Sequence, residues 1–329
     1  MRAVGTDAAR AIEVLVGGGA VEQLAAALPT AARCPHGDVA RHPVRTAAEA
    51  AAAQRLLYRI LVKPQDNVIT RVLYRPVSLP LTRLLVRTPI TPNQVSLLVA
   101  LMVGVGIWLA AHADLGRVLA GTVVILAASY LDCCDGEIAR VKLLSSRFGA
   151  WLDTIVDELS SLGYMVALGW HCHLRYGPDY LGALGADPWL IAIAVATVGY
   201  VVTIYVVYWN IIVLVGSANS QDYVGRFEPA PGPTLGTQRL VPKAATAALY
   251  ASRPLPQPLR LLAEYLPYVV RRDFISWGAV VLAAVHATHV SFALQAAGGV
   301  VTAIIVGLDH VRVRGQLRQI ARAGDRFVR

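Results

Sequence analysis

Six stretches of this 329-residue chain stay apolar over roughly 20 positions each, long enough to cross a bilayer as helices. They fall near 95–113, 117–135, 148–170, 189–215, 274–294 and 296–313, with only a short link, Leu294 to Gly298, between the last two. The pattern predicts an all-α fold: a polytopic membrane protein with six transmembrane helices, the second and third extended past the lipid boundary by polar turns. Four segments divide the chain: a short N-terminal region at 1–62, an interfacial amphipathic segment at 63–92, the six-helix domain at 93–315 and a basic tail at 316–329.

The flanking segments read differently. Residues 1–62 are Ala-rich, and the first 20 hold no basic region leading into an apolar core, so no signal peptide is expected. The triplet Gly17 to Gly19 lacks the G-K-[ST] continuation of a phosphate loop and reads as a turn. RTAAEAAAAQRLLYRILVK reads as a helix, with Thr46 placed to cap it. In the next segment apolar residues alternate with Arg71, Arg75, Arg83 and Arg87, which predicts a helix lying on the bilayer with its arginines toward headgroups. Between the fourth and fifth spans, Ser217 to Arg272 should hold a Pro/Gly loop, EPAPGPTLG, and helices at 242–252 and 257–270. His286 and His289, three apart in the predicted fifth span, read as packing residues.

Composition agrees with a membrane protein. Hydrophobic residues make up 56% and mean hydropathy is +0.52, while charged residues fall to 16%, below the ~25% of soluble domains. The net charge of +9 flanks apolar segments rather than forming one stripe, which argues against nucleic acid and for anionic membrane lipids and phosphorylated substrates. Lys and Arg gather before the first span, between the second and third, between the fourth and fifth, and after the sixth, so both termini are expected in the cytoplasm. Four scattered cysteines, Cys34, Cys133, Cys134 and Cys172, fit neither a disulfide framework nor a zinc site and read as packing residues.

The chemistry is concentrated in DCCDGEIARVKLLSSRFGAWLDTIVD, residues 132–157. On a helix, Asp135 and Ala139 lie within about 60° of Asp132. Asp153 and Asp157 are one turn apart on a second helix, with Gly149 a turn before them on the same face. Four carboxylates from two helices can thus face one another. Beside a membrane such charges require neutralisation, and divalent cations that prefer oxygen ligands (Mg²⁺, Mn²⁺ or Ca²⁺) provide it. Gly136, Ala139 and Gly149 leave gaps on the same faces for a bulky ligand.

Asp132, Asp135, Gly136, Ala139, Arg140, Gly149, Asp153 and Asp157 fill every fixed place of D-x2-D-G-x2-A-R-x8-G-x3-D-x3-D, and on them the chain resembles the CDP-alcohol phosphotransferase family. The resemblance implies a transferase that moves a substituted phosphate from a CDP-alcohol donor to a hydroxyl acceptor with release of CMP, mostly in phospholipid biosynthesis. It further implies Asp132, Asp135 and Asp153 as metal ligands, a pair of Mg²⁺ or Mn²⁺ ions, and a homodimer. Asp157 would be the general base or, in addition, a ligand of the second metal. Arg140 would neutralise phosphate charge or pair with a motif aspartate. TPITPNQVSLL resembles the family's segment before the first span, which makes Pro92 and Asn93 candidates for the nucleotide site; the Lys and Arg distribution has the active site opening to the cytoplasm.

Arg271 and Arg272, at the mouth of the fifth span, suit either a second phosphate on the acceptor or positive-inside anchoring. A narrower similarity joins LVKPQDNVITRVLYRPVSLPLTRLLVRTPITPNQVS to bifunctional inositol-phosphate cytidylyltransferase/transferase proteins, which make di-inositol phosphates from CDP-inositol. The short region before it has no G-x-G-T-R-type loop, so cytidylyltransferase activity is not expected. A cation-binding transporter or scaffold is the reading from another class, since intramembrane acids also line ion pathways. It lacks the support of paired repeats.

Overall fold

A computed structural model describes residues 44–62, 66, 68–177, 187–216, 223–232, 236–242 and 272–327. The predicted helices at 242–252, apart from Pro242, and at 257–270, with residues 1–43 and Arg271, lie outside the described residues, as do the side chains of Arg272 and Asp273.

The chain divides into two units, Met1–Ile60 and Leu61–Arg329. The described part of the first is helix α1, Ala47–Ile60. Its start is a capping box: Glu49 N–H donates to Thr46 Oγ1 (3.2 Å), and Thr46 N–H donates back to Glu49 Oε2 (3.1 Å). Thr46 is the cap that the sequence predicts.

The second unit is mostly helical. A π-helical turn, Thr70–Tyr74, leads into α2, Arg75–Val86. Then come α3, Pro92–Ala110; α4, Leu115–Val141; α5, Arg147–Tyr176; and α6, Pro188–Asn210, which runs on as a π turn, Ile211–Val215. Finally α7, Arg272–Ala284, precedes α8, Thr288–Arg322.

Four of these segments are long and apolar enough to cross a membrane: Pro92–Ala110, Leu115–Val141, Pro188–Val215 and Thr288–Arg322. Helix α5 has 30 residues but a more polar composition, and α7 has only 13. The break before the last helix also differs from expectation. It falls at Val285–Ala287, with His286 in the left-handed region at φ 62°, not at Leu294 to Gly298. His286 and His289 therefore belong to a turn and to α8, not to one helix face.

Helices α3 and α4 pack backbone to backbone. A side chain on Gly121 would place its Cβ 2.6 Å from the Gly106 carbonyl oxygen and 2.8 Å from the Ala110 nitrogen, so only glycine fits. Around this crossing a buried cluster joins Ala110, Val118, Ile125, Tyr164, Leu168 and Phe292. The opposite faces display apolar side chains such as Leu101, Trp108, Ile155, Val198 and Ile305, as a lipid-facing belt requires.

Two further expectations are corrected. The Pro/Gly stretch is not a simple loop: Phe227–Pro231 (β1) pairs antiparallel with Thr237–Pro242 (β2), and Arg326–Phe327 (β3) joins β2 in parallel. The fold is thus helical with one small sheet instead of all-α. Strand β1 lies at the sheet edge, where Pro229 and Pro231 need no amide hydrogen for a second neighbour. In α2, Arg75 does not face headgroups. It turns inward with Ser78 and Thr82, while Val77 and Leu84 are exposed.

Candidate active site

The motif folds as two consecutive helices, α4 carrying Asp132 to Arg140 and α5 carrying Gly149, Asp153 and Asp157. The turn between them is tight. Leu143 takes a left-handed φ of 56°, and Ser146 caps α5 by accepting from Gly149 N–H at 3.0 Å. Lys142 Nζ donates to the carbonyl oxygens of Thr88 and Ile90, both at 2.7 Å, tying the end of α4 to the segment before α3.

One carboxylate oxygen from each of Asp132, Asp135 and Asp153 lies within 4.8 Å of the other two. Oxygens bound to one divalent ion at about 2.0–2.6 Å span the same range. Three charges this close repel by roughly 3 kcal/mol per pair at an effective dielectric constant near 20, and an oxygen-seeking cation converts that repulsion into binding. The donor set fits Mg²⁺, Mn²⁺ or Ca²⁺. Asp157, one turn beyond Asp153 on α5, is not part of this set of three.

Asp135 and Asp153 also line a cavity of about 220 Å³ together with Pro92, Asn93, Arg140 and Gly149. Gly136 and Ala139 share its wall, as do Ser145 and Ser146. Residues expected at the nucleotide and phosphate positions are therefore brought to one place. The first turns of α3 and α5 both reach this cavity, through Pro92 and Asn93 on one side and Ser146 and Gly149 on the other. Helix N-termini and the Arg140 guanidinium present positive potential to an anionic ligand. Gly149 is tightly placed, since a Cβ there would sit 3.1 Å from both Asn93 Oδ1 and Ser146 Oγ.

Two functional neighbours escape the sequence reading. Ser96 Oγ, buried on α3, donates to Asp135 Oδ2 at 2.6 Å. Its signal was only its place one turn after Pro92 and Asn93. Glu137, at a variable position of the motif and without exposed surface, accepts from the Arg75 guanidinium, from Ser78 Oγ at 3.0 Å and from Thr82 Oγ1 at 2.6 Å. Arg75 reaches Asp66 as well, at 2.7 Å.

Residues 89–285 match the CDP-alcohol phosphatidyltransferase family model, more than half of the chain. The chain belongs to that family. Among curated relatives, a "Bifunctional IPC transferase and DIPP synthase" of Aquifex aeolicus is 33% identical over 102 residues, 31% of this chain and 21% of that protein. A phosphatidylinositol phosphate synthase of Corynebacterium glutamicum is 33% identical over 121 residues, 36% of this chain and 52% of that protein. An archaetidylinositol phosphate synthase of Pyrococcus horikoshii is 28% identical over 100 residues, 30% and 50% of the two chains. The matches thus span about a fifth of the first relative and about half of the other two. The matched stretch contains the four aspartates at 132, 135, 153 and 157.

Proposed function

We propose that this chain is a divalent-metal-dependent CDP-alcohol phosphotransferase of phospholipid biosynthesis. The observation that carries the reading is the meeting of three carboxylates from two helices, two of which, Asp135 and Asp153, line a cavity walled by two helix N-termini. Bound metal, in this reading two Mg²⁺ or Mn²⁺ ions at Asp132, Asp135 and Asp153 with Asp157 beside the second, supplies charge neutralisation for the donor diphosphate.

The remaining roles belong to the chain's own side chains. Pro92, Asn93, Gly136, Ala139 and Gly149 bind the nucleotide, and Arg140 faces its phosphates. Asp157 accepts the proton of the acceptor hydroxyl as that oxygen bonds to the β-phosphorus and the bond to the CMP oxygen breaks. Arg271 and Arg272 bind a second phosphate on the acceptor. The apolar stretch at 148–170 and the shorter apolar helix Phe274–Ala284 act as the two further spans, and residues 63–92 lie on the cytoplasmic bilayer surface. Both termini and the active site face the cytoplasm, in accord with the distribution of Lys and Arg, and the chain works as a homodimer.

The experiment is CMP release by the full chain in lipid with Mg²⁺. CDP-diacylglycerol and CDP-inositol are tested separately, each with inositol, inositol phosphate, glycerol phosphate and serine. Release from CDP-diacylglycerol is expected, and the active acceptor names the product. Release from CDP-inositol alone would select synthesis of a di-inositol phosphate, a second reading favoured by the similarity to the Aquifex aeolicus protein. Silence with every pair would overturn the transferase assignment and leave a cation-binding or transport role.

A further inference from the structure

Glu158 follows Asp157 directly, one place beyond the motif. Its half-buried carboxylate is held from α6 by two tyrosines. The Tyr200 hydroxyl donates to Oε2 at 2.7 Å, and the Tyr208 hydroxyl donates to Oε1 at 2.9 Å. Among the described residues no cation pairs with it. The two tyrosines stand about 12 Å apart along α6, eight residues at 1.5 Å each. A carboxylate bonded to both is therefore fixed along the helix as well as across it. Trp151 adds an aromatic contact to the same partner, its ring centroid 6.0 Å from that of Tyr208.

Trp151 and Glu158 share one stripe of α5, within about 20° of each other, while Asp153 and Asp157 lie on a second stripe turned from it by about 100–160°. The first stripe is gripped by α6, and the second carries its carboxylates toward α4. Helices α4 and α5 themselves touch little, whereas α5 packs along α3, α6 and α8. The spacing between the carboxylates of α4 and those of α5 thus depends on how these neighbours set the rotation of α5. Apolar packing tolerates small rotations, but a hydrogen bond weakens steeply as it bends. Of the contacts on the α6 side, the two tyrosine hydroxyls are the ones with direction.

We infer that Glu158 is a positioning residue, clamped by Tyr200 and Tyr208 so that α5 presents Asp153 and Asp157 to a divalent cation shared with Asp132 and Asp135. The inference rests on the metal-dependent reading of the aspartate site given above. Glu158 acts through its neighbours and is not itself a metal ligand. Its role is geometric, so an uncharged side chain of the same shape can fill it. Glutamine accepts from one hydroxyl through Oε1 and donates to the other through Nε2. Leucine can do neither.

The test uses the full chain in nanodiscs and two readouts: Mn²⁺ binding without nucleotide, followed by electron paramagnetic resonance, and CMP release at saturating Mg²⁺. Tyr200→Phe/Tyr208→Phe and Glu158→Leu should each weaken Mn²⁺ binding about tenfold or more. Both should lower kcat about tenfold, as a displaced reacting group does, with little change in the donor KM. Glu158→Gln should stay near wild type in both readouts. Tyr176→Phe, which removes a hydroxyl bonded to Thr288 and His289 at the far end of α5, should lower the unfolding midpoint without moving Mn²⁺ affinity. Tyr208→Phe alone repeats the comparison where the double variant does not fold. Unchanged Mn²⁺ affinity in the clamp variants, or an equal loss in Tyr176→Phe, overturns the clamp. So does an equal loss in Glu158→Gln and Glu158→Leu, because charge rather than geometry then matters. A wild type that binds Mn²⁺ yet releases no CMP removes the transferase reading and leaves Mn²⁺ affinity to decide the clamp. A wild type that binds no Mn²⁺ overturns the clamp together with the metal site.

Discussion

The Arg75 guanidinium is buried against Glu137, joining α2 to the motif helix two residues after Asp135. Glu137 and Asp135 point to opposite sides of α4, since two residues turn a helix by about 200°. One side is gripped by α2 and the other faces the carboxylate cavity, so the grip sets the rotation of the motif aspartates. Removing one partner of a buried pair leaves a charge without compensation. Arg75→Ala, which leaves the buried Glu137 carboxylate without its cation, should destabilise the protein by about 3–5 kcal/mol. Replacing both partners, as in Arg75→Met/Glu137→Leu, should cost less than the two single changes added together. Thermal unfolding in nanodiscs measures both.

Ser96 holds Asp135 from α3 by a 2.6 Å hydrogen bond. Groups that orient a metal ligand typically change metal affinity by about 10–100-fold. Ser96→Ala should therefore raise the Mg²⁺ concentration for half-maximal CMP release about tenfold or more, with little loss of rate at saturating metal. Ser96→Thr, which keeps the hydroxyl, should stay near wild type. A Mg²⁺ titration of CMP release separates the two.

The three-carboxylate set predicts opposite effects on activity and on metal-free stability. Asp132→Asn and Asp153→Asn should each abolish CMP release, yet leave unfolding without metal unchanged or slightly later, because like-charge repulsion is relieved. Mg²⁺ at a hundred times its dissociation constant should stabilise the wild type by about 2.7 kcal/mol. Neither variant should show that gain. An equal Mg²⁺ response in all three proteins would remove the metal site from these residues.

Gly121 and Gly149 should fail in different ways. A side chain at Gly121 meets the backbone of α3, which cannot move aside without separating the helices. Gly121→Val should cost about 1–3 kcal/mol or more in stability, the usual range for overpacking. At Gly149 the neighbours are the side chains of Asn93 and Ser146, which can shift. Gly149→Ala should fold normally and raise KM for the CDP-alcohol several-fold. Unfolding midpoints and donor titrations check the pair.

Much was legible along the chain. The motif spacing put Asp132, Asp135, Asp153 and Asp157 on consecutive helices, because a 3.6-residue period is a local property. Apolar runs located the long helices for the same reason, and Thr46 marked the start of α1. Local periodicity does not define where a long apolar run is broken. The turn at His286 relies on left-handed backbone geometry inside an otherwise continuous hydrophobic pattern, so it stayed hidden. The hairpin was masked by prolines, which suit an edge strand only once its neighbour is known.

The sequence by itself determined the helices, the family and the identity of the acidic residues, since each is written in spacing over a few turns. Tertiary structure alone decided which partners those residues meet. Glu137 with Arg75, Ser96 with Asp135, and Lys142 with the carbonyl oxygens of Thr88 and Ile90 are joined across 39 to 62 positions. Their pairing follows from the rotation and crossing of packed helices. Those are set by the summed fit of many side chains and by close backbone approaches such as Gly106 on Gly121, which no local window contains.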